Sequence, residues 1–182
     1  MDLRNRRRLQ AALIVAVFVV PVLVMLGLAL AGWVPRGRSY GEHLQPERDL
    51  AAMPVLMDDG KPYAFRNHAA LWTLVALPGP DCAERCLRKL DMVHRVQITL
   101  GQHADKLRLL YLGAPPSGDA AKGFAGVWTL ATTPSHELDD LRADARDSVS
   151  AVLVTPDGMA LTRYAAGFDP EDLRQDLKKV VH

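Results

Sequence analysis

A nearly unbroken apolar run, Leu71 to Leu77, ends in Pro78-Gly79-Pro80, and the only two cysteines of the chain follow at Cys82 and Cys86. A half-exposed strand alternates polar and apolar residues, so a continuous run of this length implies a strand covered on both faces. The Pro/Gly cluster ends it. From Asp81 or Cys82 to about Leu100, apolar residues recur at Leu87, Leu90, Val93, Val96 and Leu100, the spacing of a helix with one buried stripe. Four positions apart, the two cysteines share a face of that helix, one turn from each other. Their sulfurs can close a disulfide or hold one soft metal ion between them. A helix start also favours a thiolate, because its free N–H groups and dipole stabilise negative charge.

The rest of the chain supplies partners for that strand and helix. Upstream, Val55-Leu56-Met57 and Tyr63-Ala64-Phe65 flank Asp58-Asp59-Gly60, which reads as a hairpin. Gly101 is a stop for the helix, and Leu107 to Leu112 is a second buried strand. Gly113 to Gly126 reads as loop, and Val127 to Leu130 as a short strand. Ser135 is placed to cap a helix through Ala145, with Glu137, Asp139 and Asp140 in its first turns. Val149–Thr155 and Met159–Tyr164 form a hairpin about Pro156-Asp157-Gly158, and Asp169 caps a last helix that has Pro170 at its first position. The order is hairpin, strand, helix, strand, helix, hairpin, helix. With a cysteine following the first long buried strand, it predicts an α/β domain of thioredoxin-like type.

Residues Ala11 to Val34 carry no charged side chain. As a helix they extend about 36 Å, enough for a hydrocarbon core of roughly 30 Å. Arg4, Arg6, Arg7 and Arg8 precede the run, so the positive-inside rule keeps the N-terminus cytoplasmic and exports the rest. Ala29-Leu30-Ala31-Gly32 resembles a signal cleavage site, but the run exceeds a signal's core and Trp33 suits an interfacial anchor. The expected division is therefore residues 1–10 cytoplasmic, 11–34 a transmembrane helix, 35–52 a polar tether and 53–182 the α/β domain. That arrangement is a single-pass protein of the inner membrane with a periplasmic domain. Beyond residue 8, eighteen basic residues face twenty acidic ones, a balance that offers nothing to nucleic acid.

A bridge between residues four apart closes a very short loop, where the loop-entropy account gives the least stabilisation. That weighs against a structural staple and toward a functional pair. Three intervening residues, rather than two, separate the cysteines, and the segment Arg146-Asp147-Ser148 ahead of the late hairpin has no proline. Gly123-Phe124-Ala125-Gly126 lacks the lysine and hydroxyl of a phosphate loop. No zinc-type run of cysteines and histidines exists, nor a nucleophile elbow.

On these features the chain resembles the Sco/SenC family of membrane-anchored thioredoxin-like proteins that serve copper delivery to cytochrome c oxidase. Shared are the single N-terminal span, the opening hairpin Val55–Phe65, Cys82-x-x-x-Cys86 after a strand, and the late Thr155-Pro156-Asp157-Gly158. The resemblance implies that Cys82 and Cys86 are copper ligands as well as redox groups, and that the partner is a cytochrome c oxidase subunit or another copper chaperone. In that family a histidine before the Pro-Asp-Gly strand is the third ligand. Its place here falls at about Asp147, with no histidine between His136 and His182, and Leu87 stands where the family has a proline after the second cysteine.

Without the imidazole, two thiolates suit Cu(I), whereas Cu(II) prefers nitrogen donors. Substitute ligands are few. His94 lies about 12 Å along the helix from Cys86, and His103 is farther. His43 and His68 read as tether and loop residues. His136 approaches the cysteines only if the Gly113–Gly126 loop folds over them. Met53, Met57, Met92 and Met159 lack a clustered pattern and read as core filler. A carboxylate at Asp147 is a poor ligand for Cu(I). Asp81 and Glu84 raise the thiol pKa values, while Arg85 and Arg88 lower them. The expected activity is assistance to oxidase copper-centre assembly, with Cys82 as nucleophile and Cys86 as resolving thiol, carrying Cu(I) or reducing partner cysteines. A general thiol–disulfide oxidoreductase of exported proteins and a non-catalytic docking scaffold are the alternatives.

Overall fold

Val75 and Leu77 point one way from the central strand, Leu74 and Ala76 the other, and each pair sits in a separate buried cluster. The computed structural model describes residues 13, 16–25, 27, 39–116 and 123–181. Their strands are β1 (Glu42–Asp49), β2 (Leu56–Met57), β3 (Trp72–Pro78), β4 (Leu107–Leu112), β5 (Thr129–Thr132), β6 (Val149–Val154) and β7 (Met159–Tyr164). From Ser39 onward two α-helices accompany them, α1 (Glu84–Thr99) and α2 (Pro170–Val180). One mixed sheet results, in the order β1-β7-β6-β3-β4-β5-β2. β3 runs parallel to β4 and antiparallel to β6, which puts it at the centre. Its apolar run therefore has neighbours on both sides and cover on both faces.

The covers differ. On one face lie α1 and α2, whose Leu90, Val93, Leu173 and Leu177 join Leu74, Ala76, Leu109 and Tyr111. On the other, the expected second helix layer is replaced by irregular chain: Leu50, Met53, Val55, Phe65, Leu138 and Leu141 pack on Val75, Leu77 and Val152. The segment Ser135–Ala145 makes only one 3-10 turn, Asp139–Leu141. Leu138 and Leu141 are buried three apart, and then Arg142 turns extended at φ −62°, ψ 159°. The Leu141 carbonyl accepts from the Ser150 hydroxyl at 2.6 Å, so the ladder that would continue the helix is diverted to β6. A single turn does not repay helix nucleation unaided.

The N-terminal boundary also moves. Residues 42–49, expected in the tether, pair with β7 across a register shift between His43 and Arg48, and the compact unit begins at Ser39. Eight largely exposed, mostly polar residues carry no strand periodicity, because backbone pairing rather than side-chain burial holds them. Asp176, only 5% exposed, fixes the entry to β1. Its Oδ2 accepts from Ser39 Oγ (3.1 Å), Tyr40 N (2.7 Å), Gly41 N (3.1 Å) and Tyr164 Oη (3.3 Å), and Lys179 reaches Oδ1 at 2.9 Å. Burial alone would raise this carboxyl's pKa; the hydrogen bonds from Lys179, Gly41, Tyr40 and Ser39 bring it below the ordinary value.

Other boundaries shift by a residue or two. The second arm of the first hairpin shrinks to a bridge between Leu56 and Pro62, while Gly60 turns it at φ 79°. The expected strand at Val127 starts at Thr129. The late hairpin and the Asp169-capped helix form as expected, with Asp169 accepting from Glu171 N. Half of the expected transmembrane helix, 11–34, falls outside the described residues; 13, 16–25 and 27 are helical. No helix among the described residues is long and apolar enough to cross a membrane.

Replacing Asp176 by alanine strands two backbone donors at the start of β1. We expect Asp176→Ala to cost about 2–3 kcal/mol, a fall in Tm of roughly 5–15 °C, with selective loss of amide-exchange protection along β1. Because the carboxyl's pKa is lowered by folding, its contribution is present above the ordinary carboxylate range near 3.8. It is lost as pH falls through the lower folded value.

Candidate redox site

Beyond Pro78 the chain must leave the sheet and turn into α1, and a second segment lies against it there. Gly79 N donates to Ser148 O at 3.0 Å. A Cβ at residue 79 would sit 2.3 Å from the Ala145 carbonyl oxygen, so only glycine allows this approach. Ser148 Oγ in turn donates to Ala145 O. The 145–148 segment and the cysteine turn are thus one packed unit.

Cys82 and Cys86 are joined by a disulfide, with Cα atoms 5.1 Å apart. Their positions differ from the expected ones: α1 begins at Glu84, not at Asp81 or Cys82. Cys82 lies in the turn ahead of the helix and is half-buried; Cys86, the third helical residue, is 1% exposed. An approaching thiol therefore meets Cys82, and Cys86 stands behind it. That asymmetry fits an attacking thiol and a resolving one.

The N-cap residue is Ala83, which has no side-chain acceptor. The cap comes from across the sheet. Asp147 accepts from Ala83 N (2.9 Å), Arg85 N (3.0 Å), Cys86 N (2.9 Å) and Arg85 Nε (3.3 Å). Its own backbone sits in the left-handed region at φ 50°, which aspartate tolerates better than most residues. Its N–H donates to Asp81 Oδ1 at 2.6 Å. Each loop's carboxylate therefore holds the other loop's backbone. The bond from Cys86 N contributes most to Asp147's low pKa, and those from Arg85 and Ala83 help bring the carboxyl from 3.8 to about 2 against the opposing effect of burial.

This changes the expected electrostatics. The amides of Ala83, Arg85 and Cys86, which at an open helix start would stabilise a thiolate, already face a carboxylate. Reduction of the disulfide adds a potential thiolate beside a standing negative charge, so the oxidised form is favoured.

The candidate substitute ligands lie elsewhere. His136 pairs with Asp139 at 2.6 Å and its side chain is 90% exposed. His43 is in β1, bonded to Leu161 O, and His103 is in the 3-10 turn after α1, beside Gln102. His94 lines a groove with Asp91 and Trp128. Met53 is core. Among the described residues no group of three or more His, Cys, Asp or Glu side chains is arranged to hold a metal ion. The capping role of Asp147 was not foreseeable from sequence, since its partners lie 61 to 64 positions away.

The chain belongs to the transmembrane-like, thioredoxin-like family, whose C-terminal domain model matches residues 72–182. None of the curated proteins compared with it matches. Among solved structures, ScoI of Arabidopsis thaliana, determined with copper bound, is 15% identical with a TM-score of 0.51, covering 78% of this chain and 97% of that one. A thioredoxin-like protein of Aeropyrum pernix is 13% identical with a TM-score of 0.51, covering 71% and 90%. A SCO1/SenC family lipoprotein of Bacillus anthracis is 16% identical with a TM-score of 0.47, covering 78% and 94%. Sco/SenC proteins are thus among the structural neighbours, and the domain has the thioredoxin-like α/β fold.

Asparagine keeps the left-handed backbone and one acceptor oxygen but removes the charge. We expect Asp147→Asn to ease reduction of the Cys82–Cys86 bridge by roughly 3- to 10-fold in a glutathione buffer, about 15–30 mV. Folding lowers the Asp147 pKa to about 2, so its stabilisation is complete above 3.8 and disappears as pH falls through 2. Acid titration of unfolding checks this: that component is absent from the variant.

Proposed function

We propose that this protein is a membrane-anchored, exported dithiol that reduces the cysteines of a partner in assembly of the copper centre of cytochrome c oxidase. The observation that carries the reading is the pair itself: a half-buried Cys82 bridged to a buried Cys86 just beyond the end of the central strand of a thioredoxin-like sheet. The resemblance to Sco/SenC proteins and the uncharged stretch 11–34 support the destination and the anchor.

In the reduced protein, the Cys82 thiolate attacks one sulfur of a partner disulfide and releases the partner's other sulfur as thiolate. Cys86, deprotonated, then attacks Cys82 Sγ, which closes the Cys82–Cys86 bond and frees the second partner thiol. Two electrons and two protons pass to the partner. A dithiol donor is required to reset the pair. Arg85, over the Asp147 carboxylate, and the amide clamp keep the cysteine turn in place through the exchange.

Copper enters as cargo rather than as a resident group. The donor set does not suit Cu(II): among the described residues no histidine joins the sulfurs in a group that could hold a metal ion, and the Asp147 oxygens accept from three backbone amides. Two thiolates fit a two-coordinate Cu(I) once the bridge is open. Carriage of Cu(I) is the second reading, and the adjacency of the two sulfurs favours it.

Anaerobic titration of the reduced full-length protein in detergent separates the two. Fast exchange with a peptide disulfide and weak Cu(I) uptake support the reductant; stoichiometric Cu(I), lost in either Cys→Ser variant, supports the carrier. In cells, the double substitution Cys82→Ser, Cys86→Ser is expected to lower copper-oxidase activity by roughly ten-fold or more. Unchanged activity would return the chain to a scaffold role.

A further inference from the structure

Beside the disulfide runs a groove of about 240 Å³, lined by Arg85, Cys86 and Lys89 of α1, by Arg146 and Val149, and by Gly167 after β7. Cys86 and Val149 are buried and form an apolar floor. Arg85 and Arg146 are exposed at the rim, and Lys89 donates to Phe168 O at 2.7 Å. The acidic residue among the lining is Asp147, whose oxygens face backbone amides and Arg85. Nearby Glu84 is paired with Arg88, and Asp81 holds the Asp147 N–H. Among its lining residues Arg85, Lys89 and Arg146 outnumber Asp147, so the lining itself is net positive next to the reactive bond, while Asp81 keeps its charge and exposed Asp144 stands two positions before Arg146.

Backbone pairing is largely foreclosed on its loop side. Ala145 O accepts from Ser148 Oγ, Arg146 O from Arg85 Nη2, Asp147 N donates to Asp81, and Ser148 O accepts from Gly79 N. An extended partner segment finds these groups already carrying a bond, which gives side chains the larger part in recognition. We propose that the groove docks an acidic segment of the partner polypeptide, with Asp or Glu side chains beside the cysteine that exchanges with Cys82, read by Arg85 and Arg146. This rests on the thiol-exchange reading above and adds the chemistry of the partner.

The test uses the reduced full-length protein in detergent and two synthetic peptides, each closed by an internal disulfide, identical except for Glu or Lys residues flanking the cysteines. The Glu peptide is expected to exchange roughly ten-fold faster at about 20 mM salt, the ratio falling toward one at about 1 M. It should also fall toward one in Arg146→Glu and partly in Arg146→Gln, whose unfolding midpoints are checked in parallel. Equal rates at low salt, or a ratio untouched by Arg146→Glu, overturns the docking proposal and leaves exchange intact. A wild-type dimer in sedimentation that Arg146→Glu dissolves would assign the groove to a second copy and overturn it too. Failure to reduce either peptide after dithiothreitol has opened the Cys82–Cys86 bond overturns the exchange reading itself.

Discussion

A helix whose N-cap is alanine has donors at its start and no local acceptor, and burial of Cys86 beneath the disulfide keeps water from its N–H. Asp147 resolves it from 64 residues away. Its carboxylate ties the start of α1 to the segment entering β6, and Asp81 ties that segment back to the cysteine turn. Because β3 and β6 are adjacent, the two loops emerge side by side at one end of the sheet, and the clamp spans a short gap. The position of Cys82 relative to Cys86 follows from that clamp as much as from the helix.

The clamp also selects among chemistries. In a site built for a thiolate, the amides at a helix start remain available to the sulfur. Here they serve a carboxylate, so charge on sulfur meets repulsion rather than a ready dipole. A dithiol whose thiolate is disfavoured gives up electrons the more readily, and its disulfide is the harder to reduce. That suits a donor of electrons better than an oxidant. That carboxylate accepts two hydrogen bonds on each oxygen, so its lone pairs are committed to the clamp.

How much of this was legible depended on whether the signal was local. The buried strand β3, the stripe of α1, the late hairpin and the Asp169 cap declared themselves through periodicity and turn residues within a few positions of each other. The strand β1 did not, because Glu42–Asp49 is held by pairing with β7 and by Asp176, neither of which marks the sequence nearby. The helix expected from Ser135 had a cap and acidic first turns, yet Leu141 gives its carbonyl to Ser150 and the chain straightens at Arg142. Local propensity lost to a tertiary hydrogen bond. For the site, the two cysteines were readable as a pair, but their unequal burial and the clamp on Cys86 N required the fold.

Asp147 and Asp176 solve related problems with the same chemistry. Each is a carboxylate accepting from two or more backbone amides far away in sequence, one securing the cysteine turn and the other the point where the compact unit begins. Backbone N–H groups that sheet or helix cannot pair need strong acceptors when they are buried. A side chain arriving from another element supplies one and fixes that element's position in the same bond. The two clamps act on different segments, β1 and the α1 start, and their acceptors sit on different elements. Loosening the entry clamp therefore frays an edge strand, whereas loosening the site clamp alters the charge around a reactive bond. The entry clamp thus bears on stability alone, whereas the site clamp couples stability to redox poise through one carboxylate.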